Sequence, residues 1–207
     1  MNLEQMRSKL WYQGVLLGGV ALITSAALAY AARATEADIR AAEAADIKQS
    51  LAMVLTGKYD NDLLKDTLTL PSEQGEVLVY RARRAGKIEA VVFQVHGSGY
   101  AGKVVCMMGI DRDGKVTGVR VIKHAETPGL GDKIEPAKGK WIFSFEGKGL
   151  GNPPLEKWAV KKDGGVFDQF AGATITPRAV VKAVKGGLIF FDKNRAQLLD
   201  ASQGGKP

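Results

Sequence analysis

The sequence predicts an α+β domain carried behind one N-terminal membrane-spanning helix. Three observations lead there. Gly14 to Ala32 is an uncharged apolar run, four valine-rich segments follow one another between Glu76 and Lys123, and a capped amphipathic segment begins at Thr176. Strands that come as a block and are followed by helices, instead of alternating with them, belong to α+β folds with an antiparallel sheet and flanking helices.

The apolar run, GVLLGGVALITSAALAYAA, has about the ~20 residues that the hydrocarbon of a bilayer requires. Trp11, Tyr12 and Tyr30 flank it, where interfacial aromatics belong, and Arg7 and Lys9 precede it. Basic residues ahead of a span favour a cytoplasmic N-terminus. The expectation is therefore a single-pass protein in contact with membrane lipid, with the bulk of the chain outside the cytoplasm. Ala29-Tyr30-Ala31 resembles a signal-peptide cleavage site. The run is, however, longer than the roughly 7–15 apolar residues of a signal peptide, which favours a retained anchor.

Thr35 to Thr56 is alanine-rich and free of glycine and proline, with Ile39, Ile47, Leu51, Val54 and Leu55 at roughly helical spacing, so an amphipathic helix is expected. The predicted organisation is an N-terminus and anchor over 1–34, a connecting helix over 35–70, a folded domain over 71–200 and a flexible tail over 201–207. Strands are expected at Glu76–Arg83 and Ile88–His96, joined by Arg84-Ala85-Gly86-Lys87, and at Lys103–Ile110 and Lys115–Lys123, joined by the hairpin signal Asp111-Arg112-Asp113-Gly114. A loop-rich region follows. It holds an expected helix over Asp132–Phe145, whose start Pro136 blurs, and a break at Asn152-Pro153-Pro154. In the last helix Thr176 reads as the N-cap and Pro177 as the first helical residue, ahead of the stripe Val180, Val181, Val184, Leu188 and Phe191.

Composition narrows the chemistry. With 45% hydrophobic and 25% charged residues the 207-residue chain can pack a core. Its net charge is +7, but the lysines and arginines are scattered without interleaved aromatics, so no nucleic-acid partner is expected. Cys106 is the one cysteine, which excludes an intrachain disulfide or a CxxC pair, and it is expected to be buried and inert. His96 and His124 stand far apart, and no metal site is expected. Redox chemistry in such a chain needs an organic cofactor.

The stretch that carries chemistry is Asp168-Gln169-Phe170-Ala171-Gly172-Ala173-Thr174-Ile175-Thr176-Pro177. Gly172 and Ala173 leave Thr174 uncovered, and the free amides and dipole of the following helix favour a phosphate there. A threonine hydroxyl in that place can itself carry a phosphoester. Small residues ahead of a helix cap are equally common with no ligand at all.

The pattern Asp-x-x-(Ser/Thr/Ala)-Gly-Ala-Thr-x-Thr resembles the flavinylation motif of the FMN-binding domain family. Ala171 stands where that family often has Ser or Thr. Two further stretches agree: His124-Ala125-Glu126-Thr127-Pro128-Gly129-Leu130-Gly131 is similar to a second family segment, and Gly97-Ser98-Gly99-Tyr100-Ala101-Gly102 to its turn between strands. The resemblance implies FMN covalently attached through a phosphoester to Thr174. A flavin transferase would draw that FMN from FAD and recognise Asp168. It further implies flavin contacts from Gly172, Ala173, Thr176, Glu126, Thr127, Pro128, Gly129 and Leu130, the turn of small residues lying against the isoalloxazine.

Several residues stay open between two readings. Tyr100 and Trp141 are either flavin-stacking or core, His124 is either a proton donor or a structural hydrogen-bonder, Glu126 either faces the flavin or caps the following loop, and Arg178 and Lys182 are either phosphate partners or a solvated face. No catalytic residue is expected. By resemblance the chain is an electron relay among the integral-membrane and flavin-bearing subunits of an Rnf-type complex in a bacterial inner membrane, with its C-terminal domain in the periplasm. Such a complex couples ferredoxin/NAD electron transfer to proton or sodium transport. The alternatives are an anchored extracytoplasmic flavoenzyme reducing a small molecule, and a flavin-free anchored binding protein.

Overall fold

The computed structural model describes residues 10–72 and 75–202. Arg7 and Lys9, on which the orientation reading rests, and residues 203–207 of the expected tail lie outside the described residues. The chain divides into two compact units, Met1–Asp46 and Ile47–Pro207.

The first unit is helical. The two helices expected before residue 56 are one uninterrupted element, α1 (Leu10–Val54). No glycine or proline interrupts residues 33–46, where alanine, glutamate and arginine are strong helix formers. The apolar part is long enough to cross a membrane and none of it is buried within the protein. Thr24 and Thr35 return their hydroxyls to the carbonyls of Val20 and Ala31, each at 2.9 Å, so neither polar group meets an apolar surrounding unpaired. Leu16 and Val20 are both more than half exposed. An arginine at the middle of a span costs about 2.5–3.5 kcal/mol of insertion. Val20→Arg should therefore release a large share of the protein on carbonate extraction, and a variant that stays with the membrane would remove the anchor.

The second unit is a five-stranded antiparallel sheet in the order β1 (Thr67–Ser72), β2 (Gly75–Arg84), β3 (Lys87–Ser98), β4 (Lys103–Asp111) and β5 (Val116–Lys123). Four of these strands were expected. The fifth, β1, straddles the boundary drawn at residue 70 between the connecting helix and the folded domain, and Pro71 hid it. Proline cannot donate to a ladder and is accepted in an edge strand, which β1 is. The register lines Leu68, Val79, Phe93, Met108 and Val119 across one face. The opposite face carries Tyr80, Val92, Gly109 and Gly118.

Each face has its own cover. α2 (Ile175–Leu198) lies on the first face through Val180, Val184, Leu188 and Phe191. The last turns of α1, with Leu51 and Val54, cover the second together with Leu63 and Leu64. There Gly109 and Gly118 make the fit: a Cβ on Gly109 would stand 2.6 Å from the Val54 carbonyl oxygen, and one on Gly118 2.8 Å from the Val54 Cα. Thr117 Oγ1 donates to that same carbonyl at 2.5 Å.

The expected helix over Asp132–Phe145 does not form. Two short 3-10 turns, Gly131–Ile134 and Trp141–Phe145, stand in its place. Pro136 forces Glu135 into an extended conformation, φ −74° and ψ 139°, which no helix can pass through. The long connection between β5 and α2 is ordered instead by aromatic packing. Phe145, Trp158 and Phe167 lie within 6.3 Å of one another by ring centroid, and Trp141 meets Phe170 at 5.2 Å.

Candidate functional site

The three stretches singled out in the sequence meet around one carboxylate, that of Glu126. It is 5% exposed. Its Oε1 accepts the Ala101 N–H at 3.2 Å, which ties in the Gly97–Gly102 turn. Its Oε2 accepts the hydroxyl of Thr176, which ties in the start of α2. Gly99 and Gly131 close over it. A Cβ on Gly131 would lie 2.8 Å from Glu126 Oε2 and 2.9 Å from Thr176 Oγ1, and one on Gly99 would collide with Oε1. The backbone of Glu126 is fixed as well, its N–H donating to His124 Nδ1 at 3.1 Å. That bond leaves the imidazole proton on Nε2, which faces Glu135 Oε1 at 3.0 Å. His124 is thus the structural hydrogen-bonder.

Two tight turns frame the surface above this carboxylate. Thr127–Leu130 closes with the Leu130 N–H on the Thr127 carbonyl at 3.2 Å, with Pro128 second and Gly129 third at φ +78°. Phe170–Ala173 closes in the same way at 3.2 Å, with Gly172 third, also at φ +78°. A positive φ at the third position is the type II requirement that glycine meets without strain. The turns are neighbours: a Cβ on Gly172 would meet only Leu130 Cδ2, at 3.8 Å. Asp132, buried just beyond the first turn, was not anticipated. The Gly129 N–H, hydrogen-bonded to its carboxylate, holds that carboxyl below its ordinary range, with Lys138 assisting.

Thr174 follows directly. It is partly exposed, flanks α2 with φ −69° and ψ −27°, and makes no side-chain capping bond. The helix therefore starts at Ile175, and the expected cap at Thr176 is corrected: that residue is fully buried inside the first turn, and its hydroxyl is committed to Glu126. Pro177 is accordingly the third helical residue instead of the first. Ala173 is partly exposed, and Gly172, Thr127, Pro128, Gly129 and Leu130 are exposed at the surface.

The remaining expected residues are placed less centrally. Asp168 is on the surface, paired with Lys161 at 2.5 Å, while its carbonyl accepts the Trp141 indole N–H at 2.8 Å. Tyr100, for which a core role was one reading, is 72% exposed and borders the same open groove as Ile175. Trp141 packs edge-on against Phe145 and Phe170 as part of the core. Arg178 is bidentate to Asp163 at 2.6 and 2.8 Å, a pairing that no sequence pattern announced. Burial pushes the Cys106 thiol up to about 12, so it carries no thiolate chemistry at neutral pH.

The arrangement suits an anion tethered at Thr174. The hydroxyl is reachable, Gly172 has only Leu130 Cδ2 beside it, and the first-turn amides of Ile175 and Thr176 lie at the positive end of the helix dipole.

Comparison with known proteins supplies the context. Residues 99–188 match the FMN-binding domain family. The G subunit of the ion-translocating oxidoreductase complex of Cereibacter sphaeroides is 48% identical, the match covering 90% of this chain and 86% of that protein. Its namesake from Pseudomonas aeruginosa is 43% identical over 93% of this chain and 94% of its own length. A solved structure, NqrC of Shewanella oneidensis, is 22% identical and superposes with a TM-score of 0.46 over 72% of this chain and 73% of that one.

Proposed function

The chain belongs to the family of G subunits of ion-translocating oxidoreductase complexes, and from that membership we propose that it is an electron-relay subunit carrying FMN on Thr174. The observation that supports this most is the meeting of the three motif stretches around Glu126, which leaves Thr174 reachable at the start of α2. When bound, FMN supplies a redox centre that can take up and release electrons singly.

The chain's own part is attachment and placement. Thr174 Oγ provides the covalent link, a phosphoester. The amides of Ile175 and Thr176 would hold the phosphate, while Arg178 is engaged by Asp163. The turn Thr127–Leu130 and the exposed Tyr100 would be the residues that hold the ring. Asp168 is the handle for the flavin transferase, which must displace Lys161 to reach it. No residue here is assigned substrate turnover. The chain acts as one subunit of a translocase-type oxidoreductase, among integral-membrane and flavin-bearing partners, in a complex that couples ferredoxin/NAD electron transfer to proton or sodium movement. A covalent link suits a domain outside the cytoplasm, where a lost flavin is not easily replaced.

Two measurements test this reading. Ultraviolet illumination of the denatured protein in a gel should show a fluorescent band, and a dark band from cells that contain the transferase would end it. Protease added to spheroplasts should digest the domain while the inner membrane is intact. Protection until lysis would place the domain on the cytoplasmic side.

A further inference from the structure

We propose that Glu126 is the positioning residue for flavin attachment, turning Thr176 inward so that Thr174 is the threonine presented to the transferase. This rests on the attachment reading above. Thr174 and Thr176 carry the same secondary hydroxyl two residues apart, so intrinsic reactivity does not choose between them. Attachment forms one Oγ–P bond and breaks the pyrophosphate bond of FAD. The hydroxyl proton passes to a base of the transferase, and AMP leaves. An acceptor must therefore offer Oγ to another protein and be free to give up its proton.

Thr176 meets neither condition. It is 0% exposed, and its hydroxyl proton is donated to the Glu126 carboxylate. Thr174 meets both, being partly exposed with no side-chain capping bond. The two are linked by helix geometry. Two residues along a helix turn the side chain by roughly 200°, so a Thr176 held inward sends Thr174 outward. The α-helical dihedrals of Thr174 carry that relation through.

The carboxylate that does the holding cannot swing away. Ala101 N–H grips its other oxygen, the backbones of Gly99 and Gly131 pack closely against it, and the backbone bond to His124 fixes its root. Leucine in its place fills similar space but offers no acceptor to either the Ala101 N–H or the Thr176 hydroxyl.

The test uses the full-length chain made with limiting flavin transferase and FAD. Flavin is counted on each threonine by fragmenting the tryptic peptide Asp163–Arg178. Wild type and Thr176→Ser should label Thr174 at rates within about twofold of each other. Glu126→Leu and Thr176→Val should each label it about tenfold more slowly, the size expected for losing one hydrogen bond to a charged group. Asp66→Asn, remote from the site, should label at the wild-type rate even though it lowers stability. Thr174→Val should carry nothing on Thr176.

Glu126→Leu at the wild-type rate, Thr176→Val at the wild-type rate, a slow Asp66→Asn, or flavin on Thr176 in Thr174→Val would each overturn the assignment. Wild type without any flavin would instead overturn the attachment reading on which it rests.

Discussion

Thr174→Val should yield a protein that folds, reaches the membrane and carries no flavin. The hydroxyl oxygen is the atom that would join the phosphate, and valine keeps the shape of threonine without it. Stability should change by no more than about 0.5 kcal/mol, because the lost hydroxyl makes no capping bond and lies at a partly exposed position. Thr174→Ser keeps a hydroxyl and should allow partial loading, and Asp168→Ala should lower occupancy while leaving the acceptor in place. The wild-type peptide Asp163–Arg178 should weigh more by FMN less one water, with the added mass on Thr174. A Thr174→Val protein that still fluoresces after denaturation would sink the attachment reading, and one that fails to accumulate would contradict the local structure.

The second large effect is on stability. Arg81 is completely buried in β2, and its guanidinium donates to Asp66 Oδ1 at 2.9 and 2.6 Å. Arg83 donates to the other oxygen of the same carboxylate. The two arginines also reach the carbonyls of Asp200 and Ala201, so this cluster fastens the end of α2 to the sheet. Removing one partner of a buried pair leaves an uncompensated charge and costs about 3–5 kcal/mol. Asp66→Asn should accordingly lower the thermal midpoint by roughly 6–20 °C in a domain of this size. Arg112→Ala, which breaks a surface pair with Glu89, should leave it nearly unchanged.

The pH dependence has a definite sign. Burial alone would raise the Asp66 carboxyl, but hydrogen bonds from Arg83 and Arg81, and their charges, outweigh it and hold the group below its ordinary value. Its contribution is thus present above about pH 4, where the unfolded chain is also ionised, and is lost as pH falls through the lowered folded value. Acid unfolding curves of wild type and Asp66→Asn should converge at low pH. Parallel curves would mean that Asp66 is not the titrating group.

What could be read in advance follows the range of the forces involved. The apolar run, the four valine-rich strands and the last helix depend on local periodicity, and the sequence displays periodicity directly. β1 was missed because Thr67–Ser72 is short and holds a proline, and because its identity as a strand comes from pairing with β2. The failed helix after Asp132 shows a local rule, the effect of Pro136 on Glu135, outweighing a run of otherwise permissive residues.

At the site, the motif types and their order were visible, and so was the exposure expected of Thr174. The roles within it were not. Thr176 reads as a helix cap in isolation, and its true partner is 50 residues away at Glu126. The Arg178–Asp163 and Asp66–Arg81 pairs are likewise contacts across the fold that no spacing encodes.

The glycine pair under Val54 decides where this protein can be cut. Gly109 and Gly118 let the last turns of α1 sink onto the sheet, so Leu51 and Val54 belong to the folded domain as much as any strand does. A protease that nicks the exposed helix before Ile47 would release a water-soluble body whose sheet is still roofed. A cut after Val54 would strip that roof from Tyr80, Val92 and Met107 and leave a sticky, aggregation-prone remnant. The natural seam between tether and cargo therefore lies inside a continuous helix, not at its end.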